Sequence, residues 1–173
     1  MSQASAAPLR CSYAADERGD PLAATAAPAN GFLLIESPGA WGHDILSQSR
    51  LDPEIAALVA ARAVGLSYRL ILIKRPGRVR PHGPRRWVLV DSAPGAERMT
   101  WGAYDADSDL LEIPLEHTEH EEAPTPLYLV CTHGRHDACC AKRGRPVAAT
   151  LSERRPESVW ECSHIGGDRF APN

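Results

Sequence analysis

Thiols and imidazoles crowd into the last third of this chain, at the mouths of two strand-like runs. Residues 127–173 hold four of the five cysteines, Cys131, Cys139, Cys140 and Cys162, and three of the seven histidines, His133, His136 and His164. The apolar run Leu127 to Val130 leads straight into Cys131, so the first thiol is expected where a buried strand gives way to a loop. Val159 and Trp160 deliver Cys162 and His164 in the same way, and Arg145 to Glu153 between them can form one short helix. Strand, loop, helix, strand, loop is a β-α-β unit. Ligands at the carboxyl ends of its strands sit where α/β sheets place their sites.

The preceding residues read as a mixed α/β region. Continuous apolar runs predict buried strands at Gly31 to Glu36, Tyr68 to Ile73 and Arg86 to Asp91. Alternation predicts an edge strand at Met99 to Tyr104, and Leu110 to Leu115, interrupted by Pro114, is a fifth candidate. Asp52-Pro53-Glu54 opens a helix with an N-cap, a first-turn proline and a first-turn acid; Ile55, Leu58 and Val59 form its apolar face, and Gly65 ends it. Residues 1–30 read as an extended arm, 31–115 as the mixed region, 116–126 as an acidic linker, and 127–173 as the ligand-bearing unit. His117 and His120 stand among the linker's carboxylates and prolines and read as solvated. The arginine run Arg75, Arg78, Arg80, Arg85 and Arg86 reads as a solvated loop because of its Pro and Gly content.

Charge and apolar runs exclude several classes. The net charge of −3 gives no basic excess for a nucleic-acid partner. No apolar run approaches the ~18 residues of a membrane helix. The first twenty residues lack the basic start and apolar core of a signal peptide. Reduced cysteines and a cytoplasmic location are therefore expected. Five is an odd number for a closed disulfide framework, and cysteines concentrated in one segment point to metal or redox chemistry.

Thiolates hold iron–sulfur clusters or zinc, and imidazole can replace thiolate at either. In CTHGRHDACC the interval from Cys131 to Cys140 is too wide for a CxxC knuckle and suits a loop that wraps a cluster. Gly134, Ala138 and Ala141 allow close backbone approach, while Arg135, Lys142 and Arg143 offset thiolate charge. Gly166 and Gly167 make a tight turn that lets His164 and Asp168 converge. Cys162 reads as a small buried hydrophobe. Cys11, far away in the arm, does not read as a ligand, and His133 and His136 read as loop or supporting groups.

These residues resemble a known family. C-T-H-G-x-x-D-x-C-C, then G-R-P-V-A, then W-E-C-S-H-I-G-G-D-R-F-A-P-N is similar to the sucrase/ferredoxin-like family, the thioredoxin-like [2Fe-2S] ferredoxins. Cys11-Ser12, Leu33-Leu34-Ile35-Glu36, Ser37-Pro38-Gly39 and Trp41-Gly42 resemble its opening. The resemblance implies a thioredoxin-like unit holding one [2Fe-2S] cluster through two cysteines, mapped onto Cys131 and Cys140, and two histidines, the first mapped onto His164. The second histidine position holds Asp168, so either the fourth ligand is Asp168, Cys139, His133 or water, or the cluster is absent or labile. The chain ends where the family's motif would feed into a further helix. The C-terminal thioredoxin-like β-α-β unit is therefore expected to be truncated, with part of its strands' apolar cover missing.

Two main functions are compatible with these residues. One is an electron carrier serving a redox partner protein, a reductase or an acceptor, with a pH-dependent potential. The other is a thiol protein reacting through Cys139 and Cys140, with nearby cations lowering their pKa. A structural zinc site is a third. Sugar hydrolysis is not expected, since no pair of facing carboxylates stands out.

Overall fold

The computed structural model describes residues 11–21, 29–77, 83–95, 97–116 and 126–166. Asp168, His117, His120, Arg78 and Arg80 lie outside them. The architecture is α/β, a six-stranded mixed sheet with helices.

β1 (Gly31–Glu36) is central, which is why GFLLIE is an unbroken apolar run rather than an alternating one. A crossover through α3 (Pro53–Gly65) returns the chain to β2 (Tyr68–Lys74), parallel to β1. β3 (Arg85–Asp91) pairs antiparallel with the other edge of β1, and β4 (Arg98–Tyr104) pairs antiparallel with β3. Beyond the acidic segment, β5 (Tyr128–Cys131), α4 (Ala138–Arg154) and β6 (Val159–Cys162) form a second parallel crossover. β6 pairs antiparallel with β2 at Ile73–Cys162 and Lys74–Glu161, giving the order β4-β3-β1-β2-β6-β5. Strands from both sides of the acidic segment thus share one sheet. That pairing carries the cysteine-bearing unit onto the edge of β2.

The two faces follow from the period of two along each strand. Leu33, Ile35, Leu72 and Leu89 pack with Ala56, Val59 and Ala63 of α3. Leu34, Ile71, Ile73 and Val88 lie on the opposite face with Trp160, Cys131, Cys140 and Cys162. Within β5 and β6, Val130, Val159, Trp160 and Cys162 are buried, while Tyr128 is exposed.

Four local expectations are corrected. Cys11–Arg18 of the expected extended arm form a helix, α1; a short α2 (Ile45–Gln48) follows β1, where no expectation is corrected. Leu110 to Leu115 is no strand: Asp107–Glu112 is a 3-10 helix. Its start is set by the Asp109 carboxylate, which accepts from the backbone of Asp105 (3.1 Å) and Ala106 (2.9 Å). Its last carbonyls accept from Arg62 of α3. The helix expected at Arg145 to Glu153 begins at Ala138, because Asp137 caps it by accepting from the Cys139 N–H at 2.7 Å. Pro146, which favours a first turn, lies inside the helix instead. The arginine run is also less free than expected. Arg75 stacks over Trp160 (3.8 Å to the ring centroid), and Arg85 pairs with Asp107 at 2.7 Å.

The N-cap of α3 is as expected. The Asp52 carboxylate accepts from Glu54 N–H (2.9 Å) and Ile55 N–H (3.2 Å). Gly65 does not supply the left-handed stop; Ser67 does, at φ 60°. Asp52→Ala is expected to cost about 1 kcal/mol, which at this chain length lowers the melting midpoint by about 2–4 °C in a thermal scan.

Candidate metal centre

The site is assembled where β5 and β6 end together. Cys131 and Cys162 are register partners, and Thr132 N–H donates to the Cys162 carbonyl at 3.1 Å. Beyond β6, Ser163 is tied to Leu72 of β2 in both directions, its N–H donating to the Leu72 carbonyl (2.8 Å) and its Oγ accepting the Leu72 N–H (3.0 Å). Arg69 of β2 donates to the Ile165 carbonyl at 3.0 Å. His164 lies between these two anchors, so its backbone is held at the strand mouth.

The loop after Cys131 is folded on itself. His136 and Asp137 donate to the His133 carbonyl at 3.0 and 3.1 Å, and Asp137 then caps α4. Cys139 and Cys140 therefore stand in the first helical turn rather than in the loop expected to wrap a cluster. Consecutive helical residues point about 100° apart, so only one of the pair can face Cys131. That one is Cys140. Gly134 fits because a Cβ there would meet the Ala141 Cβ at 2.6 Å. One helical turn past Cys140, Gly144 rests on the end of β5, where a Cβ would lie 2.0 Å from the Cys131 carbonyl oxygen.

The outcome is a compact donor set: ligand atoms of Cys131, Cys140 and His164 all lie within 4.8 Å of one another. The two cysteines are buried, at 1% and 3% exposure, and His164 is half-buried. Cys139 and Cys162 are buried free thiols that do not join this group. Asp168 lies outside the described residues.

The Cys140 thiol is pushed well above its ordinary pKa, chiefly by its hydrogen bond with Cys131 and then by burial, with a hydrogen bond from His164 opposing both. Burial likewise pushes Cys162 up. Buried thiols of this kind resist ionising by themselves and ionise when a metal cation takes the proton's place. Two thiols and an imidazole form a soft donor set, suited to iron–sulfur centres and zinc. The residues present fit such a group.

His133 has a different part. Its Nδ1 accepts the His164 backbone N–H at 3.3 Å, which leaves the hydrogen on Nε2 to donate to the Gly42 carbonyl at 2.7 Å. Burial holds its pKa below the ordinary imidazole value against the pull of the Gly42 bond, in keeping with a neutral ring. Both ring nitrogens are engaged, so His133 serves as a clamp between the Trp41-Gly42 turn and His164. His136 stacks on His164, centroids 3.9 Å apart and rings 15° from parallel. A supporting role for His133 was expected, but its partner Gly42 was not. The clamp's only sequence signal is the Trp41-Gly42 pair, 91 positions before His133. His133→Ala is expected to weaken metal retention about tenfold or more, measured as metal left on the chain after competition with a chelator.

Among the described residues no helix is long and apolar enough to cross a membrane. No curated protein and no solved structure matches the chain. A family model described as sucrase/ferredoxin-like matches residues 22–173.

Proposed function

Because the chain belongs to the sucrase/ferredoxin-like family, we propose that it is an electron-transfer protein carrying a [2Fe-2S] cluster. Cys131, Cys140 and His164 are its ligands in this reading, with Asp168 as the fourth. The single observation that supports it most is the convergence of two buried cysteines and a histidine within 4.8 Å, from two strand ends and a helix start. Such a cluster stores and releases one electron. The chain's own residues bury the thiolates, hold His164 through His133 and Arg69, and leave His136 exposed beside it. A neutral imidazole in place of a thiolate raises the reduction potential above that of an all-thiolate centre. The partner in this reading is a redox protein, a reductase or an acceptor.

The thiol-redox alternative draws no support from Cys140, whose pKa is raised where a reactive thiol needs it lowered. Zinc is the other reading, since the same two thiols and imidazole are ordinary zinc ligands. Anaerobic purification, a visible spectrum, and iron and sulfide assays on one sample separate the two. Reddish-brown protein with about two irons and two sulfides per chain supports the cluster. Colourless protein with zinc, or with no metal, overturns the electron-transfer reading.

A further inference from the structure

A cavity of about 440 Å³ opens beside the Thr132–Asp137 loop, and its lining includes Trp41, Lys74, Arg135, Lys142 and Arg145. Four of these carry positive charge, and among the described residues no Asp or Glu lines the cavity. The excess is local, since the whole chain carries −3.

The four cations are not equivalent. Lys74 is accounted for: its ammonium sits 3.5 Å from the Glu161 carboxylate, donates to the Gly39 carbonyl at 3.1 Å, and lies 4.4 Å from the Trp41 ring centroid. Glu161 in turn accepts from the Thr132 hydroxyl at 3.0 Å. Arg135, Lys142 and Arg145 are exposed, and none of their side chains has an ion pair or hydrogen bond among the described residues. Ala138, Ala141, Lys142 and Arg145 are spaced to form one face of α4, with Arg135 on the loop that leads into it. Like charges held together across a concavity repel, and a bound anion offsets that repulsion. A guanidinium group donates two parallel N–H bonds to two oxygens of a carboxylate or a phosphate. The cavity falls within the usual size range of small-molecule sites.

We propose that this cavity binds a small polyanion bearing phosphate or carboxylate groups. Arg135, Lys142 and Arg145 hold its charged groups, and Trp41 and Lys74 form the inner wall. The lining contains none of Cys131, Cys140 and His164, so the proposal stands apart from the identity of the metal.

Calorimetric titration of the full chain with inorganic pyrophosphate and, separately, with citrate tests it. The expected result is one saturable site per chain for at least one of them, weakened by added salt. Tighter pyrophosphate binding assigns a phosphate ligand, and tighter citrate binding a carboxylate. Arg135→Ala and Arg145→Ala, both at exposed positions, are each expected to weaken binding about fivefold or more. Arg154→Ala, which removes the same charge from the far end of the same helix, is expected to leave it within about twofold. Unsaturable binding, no binding of either anion, or equal weakening by Arg154→Ala overturns the proposal. Metal content measured on the same samples keeps a failure here distinct from a failure of the electron-transfer reading.

Discussion

Cys140→Ser is expected to leave the purified chain without its metal, while Cys139→Ser keeps it. The two positions are neighbours in sequence and both are buried, at 3% and 1% exposure. Only Cys140 belongs to the three-donor group. A serine hydroxyl does not ionise near neutral pH, so the change replaces a thiolate with a weak neutral donor. Metal affinity depends on the deprotonated ligand. At Cys139 the same substitution alters a small buried side chain and touches no donor, so its effect falls on stability alone. Metal per chain after desalting, together with the visible spectrum, reads the contrast. Equal loss from both variants would count against the three-donor assignment.

Gly144→Ala and Gly65→Ala are expected to move stability in opposite directions. Both glycines lie within helices, where alanine is favoured by about 1 kcal/mol. A Cβ at Gly65 meets nothing within 4 Å, so that gain is free to appear, as a melting midpoint raised by about 2–4 °C. At Gly144 the Cβ would stand 2.0 Å from the Cys131 carbonyl oxygen. A backbone oxygen cannot swing aside as a side chain can, so α4 must lift off the end of β5. Overpacking of this kind costs about 1–3 kcal/mol and occasionally more, which outweighs the propensity gain. The lift also separates Cys140 from Cys131, so Gly144→Ala is expected to lose metal as well as stability. Thermal scans on both variants, with metal content, check the sign at each site.

These expectations rest on features that the sequence displayed unequally. GFLLIE, YRLILI and RWVLVD were legible as strands because a fully covered strand needs an apolar residue at nearly every position. Asp52-Pro53-Glu54 was legible because a cap acts within three residues of itself. Asp137 caps α4 by the same local chemistry, yet the expected start at Arg145 falls seven residues after the helix's first residue, Ala138. Asp107–Glu112 was misread because LEIPL has strand-like composition, while the Asp109 carboxylate and Arg62 satisfy its backbone as a 3-10 helix.

By itself, the sequence determined the α/β class and most of the strands with their apolar character, and its resemblance to the family singled out Cys131, Cys140 and His164 as candidate donors. Periodicity and capping are legible because they are properties of a residue and its near neighbours, and the ligand positions because the family's motif carries them. Only the tertiary structure decided that β6 pairs with β2, that Cys140 and not Cys139 faces Cys131, and that His133 joins Gly42 to His164. It alone also gathered Lys74, Arg135, Lys142 and Arg145 around one cavity. Each of these depends on contacts between residues far apart in the chain, or on the direction a side chain takes from a helix turn. Neither is set until the sheet closes and α4 settles, through Gly144, on the end of β5.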